Sequence, residues 1–267
     1  MQEHAEQVRE QVRRRYAEIA RSGTSCCADV CCGPADAAFA TLPANGAADA
    51  AARTLAVGYS AAALEAVPEG AVTGLGCGNP VALAELRPGE VVLDLGSGAG
   101  MDALLAAREV GEQGRVIGVD MTPEMIERAR ANAREVGAAN VEFRLGEIEH
   151  LPVADASVDI VMSNCVINLV TDKLAVFREA FRVLRPGGRL MISDLVVEGE
   201  LPEAARQDLE AWAGCIAGAL EKGEYIETIR RAGFRDVEVV SEQTYGDPAS
   251  LGMESGRIVS VQVKAAK

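Results

Sequence analysis

The chain is poor in histidine and in basic residues and has no long apolar run, and each shortage narrows what it can be. Its 26 lysines and arginines face 40 acidic residues, a formal net charge of −14. Binding a phosphate backbone needs clustered Lys and Arg. The one such cluster, Arg13, Arg14 and Arg15, reads as the solvated face of a helix, so no nucleic-acid partner is expected. No stretch approaches the roughly 18 apolar residues of a membrane span. The opening Met1, Gln2 and Glu3 lead into Arg-rich helical sequence rather than the apolar core of a secretory signal. A cytoplasmic protein with no membrane partner is the expectation.

What is present reads as globular: 49% of residues are hydrophobic and 25% charged, ordinary values for a folded domain. A length of 267 residues allows one sizeable core with extensions, or two small domains. The seven cysteines are an odd number, and a reducing compartment keeps them as thiols. They are then buried core, metal ligands or catalytic groups.

Residues 2 to 21 carry Val8, Val12, Tyr16 and Ile19 at helical spacing among charges, an amphipathic helix. Residues 22 to 46 are rich in Gly, Ala, Ser and Cys without a period and read as loop. Residues 47 to 87 are Ala-rich and partly helical, interrupted by Pro68, Gly70 and GLGCGNP at 74 to 80. From Gly89 the pattern changes. Short apolar runs at 90 to 95, 115 to 120, 141 to 145, 158 to 163 and 189 to 194 alternate with helical segments at 101 to 111, 123 to 137 and 171 to 184. Thr122 and Pro123 open the second helix as N-cap and first residue. Such alternation predicts a parallel sheet covered on both faces. The turn Pro186-Gly187-Gly188 is expected before the fifth strand. Helices are expected across 202 to 232, and two late strands at 236 to 242 and 257 to 264.

The informative segment is VVLDLGSGAG, 91 to 100, a buried strand running into Gly96, Gly98 and Gly100. Glycine lets the backbone turn sharply and approach a ligand. Open α/β sheets bind ligands outside the carboxyl ends of their strands. Asp120 ends the second strand and can accept the hydroxyls of a ribose. Asp94, inside the first strand, suits a positively charged amino group, which favours a ligand with an amino-acid tail over a pyrophosphate. A nicotinamide dinucleotide is the competing reading, since GAGMDA formally fits G-x-G-x-x-A, but that match begins two residues late.

DLGSGAG, then GVD, LPVADASVDIV and LRPGGRL, resembles the class I S-adenosylmethionine-dependent methyltransferases across about residues 88 to 265. The resemblance implies a Rossmann-like α/β fold, mostly parallel with the last strand antiparallel, and S-adenosyl-L-methionine as cofactor. It places Gly96, Ser97 and Gly98 at the methionine portion, Asp120 at the ribose, and Met121 near the adenine, with Ile148 and Glu149 on its other side. Asn164 is a further candidate for orienting donor or acceptor. The expected division is an N-terminal helical extension, 1–87, and a methyltransferase domain, 88–267, with a helical insertion at about 195–232.

Cys165 lies just past the fourth strand, which neighbours the first in such sheets and so faces the methyl donor. Cys77 precedes the first strand, and Cys215 lies in the insertion. Buried free cysteine is commonly plain core. Three convergent thiolates, however, make a soft three-coordinate site. Zinc usually takes a fourth ligand, whereas trivalent arsenic takes three sulfurs and keeps a lone pair. GCGNP, SNCVINLV and AGCIAGAL closely resemble the three cysteine motifs of the arsenite S-adenosylmethionine methyltransferases, and the match at Cys165 extends through Asp172 and Lys173. The resemblance implies that Cys77, Cys165 and Cys215 bind arsenic(III) and that methyl transfer to it serves arsenic detoxification. A small thiol or a thiol-disulfide couple would reduce the product.

Leu75 stands where some relatives have tyrosine, and longer relatives continue past their last strand, a difference that bears on how many methyl groups are added. Cys26, Cys27, Cys31 and Cys32 form a CC-x3-CC pattern that is left outside the site. Two other readings remain at this level: methylation of a different small molecule with the cysteines as core, and arsenite binding without turnover.

Overall fold

The computed structural model describes residues 2–22, 47–203, 206, 212–245 and 256–267. The four clustered cysteines at 26, 27, 31 and 32 lie outside the described residues.

Seven strands form one sheet: β1 (Val91–Leu95), β2 (Arg115–Asp120), β3 (Val141–Leu145), β4 (Val158–Asn164), β5 (Leu184–Gly199), β6 (Arg235–Thr244) and β7 (Gly256–Ala266). Their order is β3-β2-β1-β4-β5-β7-β6. The pairs among β1 to β5 are parallel, whereas β7 runs antiparallel to both β5 and β6. This is the expected Rossmann-like sheet with its last strand reversed. Chain order reverses between β1 and β4, so the carboxyl ends of these two strands open a crevice and bring Gly96 and Cys165 together.

Among the described residues the helices are α1 (Gln2–Ser22), α2 (Ala47–Ala56), α3 (Ala61–Glu65), α4 (Pro80–Ala84), α5 (Met101–Val110), α6 (Pro123–Glu135), α7 (Lys173–Val183) and α8 (Lys222–Arg231). Strands β1 and β4 are buried on both faces, with Leu93, Leu95, Ile160 and Met162 wholly inaccessible. Two apolar cores follow. One packs Leu93, Leu95, Phe177 and Tyr225; the other packs Val92, Ile160 and α5 against Tyr59, Val67, Ala71 and Ala84 from the region before β1. No helix among the described residues is long and apolar enough to cross a membrane.

Two local expectations change. Pro186-Gly187-Gly188 is not a turn ahead of a strand but lies inside β5, which starts at Leu184; the irregularity appears as a register shift against β4 between Val158 and Ile160. β5 also continues beyond Asp194 to Gly199, because β7 pairs with it as far as Gly199 opposite Gly256. The helical region therefore starts later than 195, and its regular helix among the described residues is α8. Thr122 does hold the N-cap position of α6, but its hydroxyl makes no capping bond. Its backbone N–H instead donates to Asp120 Oδ1 at 2.8 Å.

Candidate active site

The glycine turn after β1 is shaped by positions that favour glycine for different reasons. Gly96 has φ +64°, and a Cβ there would stand 2.3 Å from Val166 Cγ2. Gly98, at φ +50°, has open space where its Cβ would be, so its constraint is conformational. The Gly98 N–H donates to Asp120 Oδ2 at 2.9 Å. Asp120 thus ties the turn to the end of β2.

The turn floors a cleft lined by Asp94, Gly96, Ser97, Gly98, Asp120, Met121, Ile148, Glu149, Asn164 and Cys165 together. Every residue expected at the cofactor is therefore on one surface, along with one of the three cysteines. Val12 and Tyr16 of α1 close over it, and Thr54, Val57, Tyr59 and Leu75 form a further wall. Arg9 reaches Glu147 at 3.4 Å and Glu149 at 3.7 Å, which ties α1 to the loop carrying Ile148.

The electrostatics of the cleft are those of a cation acceptor. Asp94 is buried, and its Oδ2 has no hydrogen-bond partner. Burial, reinforced by the nearby charges of Asp102 and Asp120, holds its carboxyl well above the usual carboxylate range. Burial likewise raises Asp120 and Asp102, against the hydrogen bonds each receives. A positively charged amino group placed among these acids would relieve that penalty. An unpartnered carboxylate oxygen beside a glycine turn, with a ribose-type acid at the next strand, fits an amino-acid-bearing nucleoside.

The expectation missed Asp102 and Tyr59. Tyr59 donates to Asp102 Oδ1, and burial pushes the Tyr59 phenol well above its ordinary value, with the Asp102 charge adding to it. The only advance signal was Asp102 in the first turn after the glycines; Tyr59 comes from an Ala-rich stretch with no marker.

The three cysteines meet, though not all at the cleft. Cys77, Cys165 and Cys215 are free, buried and part of one core cluster with Leu169, Leu195 and Trp212. Cys165 alone of the three lines the cleft, with Cys77 and Cys215 behind it. Cys215 Sγ donates to the Cys165 carbonyl at 2.9 Å, and Ser260 Oγ donates to the Cys77 carbonyl at 2.6 Å. Cys165 and Cys215 both have left-handed backbones, φ +60° and +67°. That conformation costs an L residue roughly 1–2 kcal/mol, and strain of this kind concentrates at functional sites. The Cys165 hydrogen bond raises the Cys215 thiol well above its ordinary value, with burial adding to it. Burial raises Cys77. Among the described residues, the ligand atoms that lie mutually within 4.8 Å are those of Cys77, Cys165 and, unforeseen, Asp194.

The chain matches the methyltransferase-domain family model over residues 86–233. It is 51% identical over 243 residues to the arsenite methyltransferase of Halobacterium salinarum, covering 88% of this chain and 59% of that protein. To the arsenite methyltransferase of Aquipseudomonas alcaligenes it is 44% identical over 183 residues, covering 66% and 52%. The chain thus spans somewhat over half the length of these two relatives. Among solved structures, an arsenic(III) S-adenosylmethionine methyltransferase from Chlamydomonas reinhardtii superposes with a TM-score of 0.66 at 37% identity, covering 80% of this chain and 73% of that one. The chain belongs to the arsenite S-adenosylmethionine methyltransferase family, within the class I methyltransferases.

Proposed function

We propose that this chain transfers the methyl group of S-adenosylmethionine to arsenic(III) held by Cys77, Cys165 and Cys215, and that it works in a reducing, cytoplasmic setting where these thiols stay free. The observation that carries the reading is the position of Cys165, which belongs at once to the cleft lining and to the buried thiol cluster. S-adenosylmethionine, when bound, supplies an activated sulfonium methyl. Asp94 would hold its amino group, Gly96, Ser97 and Gly98 its methionine portion, and Asp120 its ribose hydroxyls. Met121 and Ile148, with Glu149, would flank its adenine, while Asn164 fixes the loop of Cys77.

Arsenic(III) on three thiolates keeps a lone pair, and that pair is the nucleophile. It carries no proton, so no side chain has to act as a general base. This agrees with the placement of His150 and His4, both exposed. The protein's work is to hold two reactants in line, which by itself removes much of a bimolecular barrier. Val166, Leu169 and Val170 line the same cleft and exclude water around Cys165. Transfer leaves S-adenosylhomocysteine and formally pentavalent methylated arsenic, so two thiols must close to a disulfide and return two electrons before another round.

The test is methyl transfer from labelled S-adenosylmethionine to arsenite with thiol present, comparing the unaltered chain with Cys165→Ser. Methylated arsenic from the first and none from a folded variant supports both acceptor and site. Cofactor binding without any arsenical product would overturn the acceptor.

A further inference from the structure

Arsenic(III) needs three sulfurs, and the buried cluster offers a fourth donor. Asp194 lies on β5 with no solvent exposure, and one of its oxygens falls within 4.8 Å of the sulfurs of both Cys77 and Cys165. The carboxylate is aimed. Asp194 Oδ1 accepts the Leu195 N–H at 2.9 Å and Oδ2 accepts the Tyr225 hydroxyl at 3.0 Å. The Asn168 backbone donates to the same carboxylate, which leaves one of its four lone-pair sites open, and donors of this kind behind a carboxylate are how proteins orient a metal ligand. Methyl transfer to a three-coordinate substrate has no use for this group, yet burying a carboxylate is costly.

We propose that Cys77, Cys165, Cys215 and Asp194 form a four-coordinate site for a thiophilic divalent cation of the zinc and cadmium class, which occupies the acceptor position in competition with arsenic(III). The proposal shares its cysteines with the methyl-transfer reading but requires no turnover. Zinc binds thiolates and carboxylates in closed tetrahedral sets. Arsenic(III) fills its fourth direction with a lone pair and gains nothing from a carboxylate there. The two ligands are therefore told apart by coordination number. Binding the cation releases the three thiol protons to solvent, while Asp194 binds as the anion. The resulting set is net negative, and Lys173, buried nearby and electrostatically linked to both Asp194 and Cys215, offsets part of it. Cys215 stands outside the 4.8 Å set, its thiol hydrogen-bonded to the Cys165 carbonyl, and is the ligand that must reorient.

The probe is Co²⁺, whose visible spectrum reports tetrahedral thiolate coordination, followed by displacement with Zn²⁺. The chain used carries Cys26, Cys27, Cys31 and Cys32 as serine, so that the clustered thiols bind nothing, and is compared with the same chain bearing Asp194→Asn. Asparagine keeps the shape and the bond from the Leu195 N–H, and its amide can donate to the Tyr225 oxygen with that bond reversed, but it is a poor metal ligand. Arsenite binding is read separately from Trp212, the single tryptophan, which packs in the thiol cluster. The expected result is a tetrahedral Co²⁺ spectrum at one equivalent, displaced by arsenite. Asp194→Asn should weaken Zn²⁺ at least tenfold and leave arsenite within about twofold. Equal Co²⁺ spectra and Zn²⁺ affinities in the two chains would overturn the proposal, as would the absence of any tetrahedral signal. If arsenite still quenched Trp212 in those cases, the methyl-transfer reading would stand alone. Tetrahedral Co²⁺ lost in Asp194→Asn, with arsenite neither quenching nor displacing, would support the cation site and remove the arsenic acceptor.

Discussion

The side-chain oxygen of Asn164 accepts the backbone N–H of Cys77 at 3.0 Å, joining the end of β4 to a loop that precedes β1. The Asn164 amide nitrogen shares its hydrogens among the Gly78 carbonyl at 2.9 Å, the Tyr59 hydroxyl at 3.0 Å and Asp102 Oδ2 at 3.1 Å. One side chain thus positions Cys77 and touches Tyr59 and Asp102 of the cleft wall, immediately before Cys165.

Asn164→Ala should therefore cost both stability and acceptor binding. It orphans the Cys77 N–H and the Gly78 carbonyl, and a buried group left without its partner costs about 1–3 kcal/mol. With two groups orphaned, a urea titration should show a loss of about 2 kcal/mol or more. With Cys77 no longer held, arsenite affinity read through Trp212 should fall at least tenfold. Lost stability with unchanged arsenite affinity would reduce Asn164 to a structural brace.

Asp94 gives a prediction with opposite signs for stability and binding. Its carboxyl is raised in the folded chain by burial and by Asp102 and Asp120, so the folded state holds this proton more tightly than the unfolded state. Stability is then lost as pH rises from the unfolded value of about 3.9 through the raised folded one. Asp94→Asn removes that loss. The variant should be more stable than the parent at neutral pH, and the gap should close as pH falls towards 4, measured by thermal unfolding across the range. S-adenosylmethionine affinity should drop tenfold or more, since the amino group loses its counter-charge. A variant less stable at pH 7 than at pH 4, relative to the parent, would contradict the assigned cause.

The parts of this site that were legible beforehand are those fixed by local sequence. Asp94, Gly96, Ser97, Gly98 and Asp120 announce themselves because a buried strand, a glycine turn and a strand-end acid occur within one unit. Cys165 is legible for the same reason, at the end of a strand whose place beside β1 follows from topology. Asp194 was not, because its meaning depends on which way alternate residues of β5 point and on Tyr225 from a helix 31 residues later. Tyr59 and Asp102 make their bond across 43 residues. Pro186-Gly187-Gly188 looks like a turn until β4 and β7 are known to pair on either side of it.

The left-handed backbones of Cys165 and Cys215 invert an ordinary preference. At a compatible site alanine stabilises over glycine by about 0.4–1 kcal/mol, but in the left-handed region an L residue pays roughly 1–2 kcal/mol that glycine does not. Cys215→Gly should thus match or exceed Cys215→Ala in stability, by up to about 1 kcal/mol, in paired denaturant titrations. Alanine ahead by the ordinary margin would show that the backbone relaxes once the sulfur is gone.

Two kinds of interaction hold α1 over the cleft, and their magnitudes decide which one controls entry of the donor. Arg9 and Arg13 meet Glu147 at 3.4 and 3.5 Å, but these side chains are partly exposed, and such pairs contribute about 0–1 kcal/mol. Val8, Val12 and Ile19 are buried at 2%, 1% and 6% exposure, each contributing about 1.5–3 kcal/mol. The apolar face wins. Replacing Arg9 and Arg13 together by glutamine, which removes their pairs with Glu147 and Glu149, should change S-adenosylmethionine affinity by less than about threefold, and raised salt should do little. Val12→Asp places a charge against the cleft and the thiol cluster; it should release α1, expose it to trypsin at its arginines and weaken donor binding at least tenfold. If the glutamine pair instead loosened the helix as far as Val12→Asp does, the ion pairs would be the latch. Donor binding would then have to weaken steeply with ionic strength, a second readout that separates the two cases in the same titration.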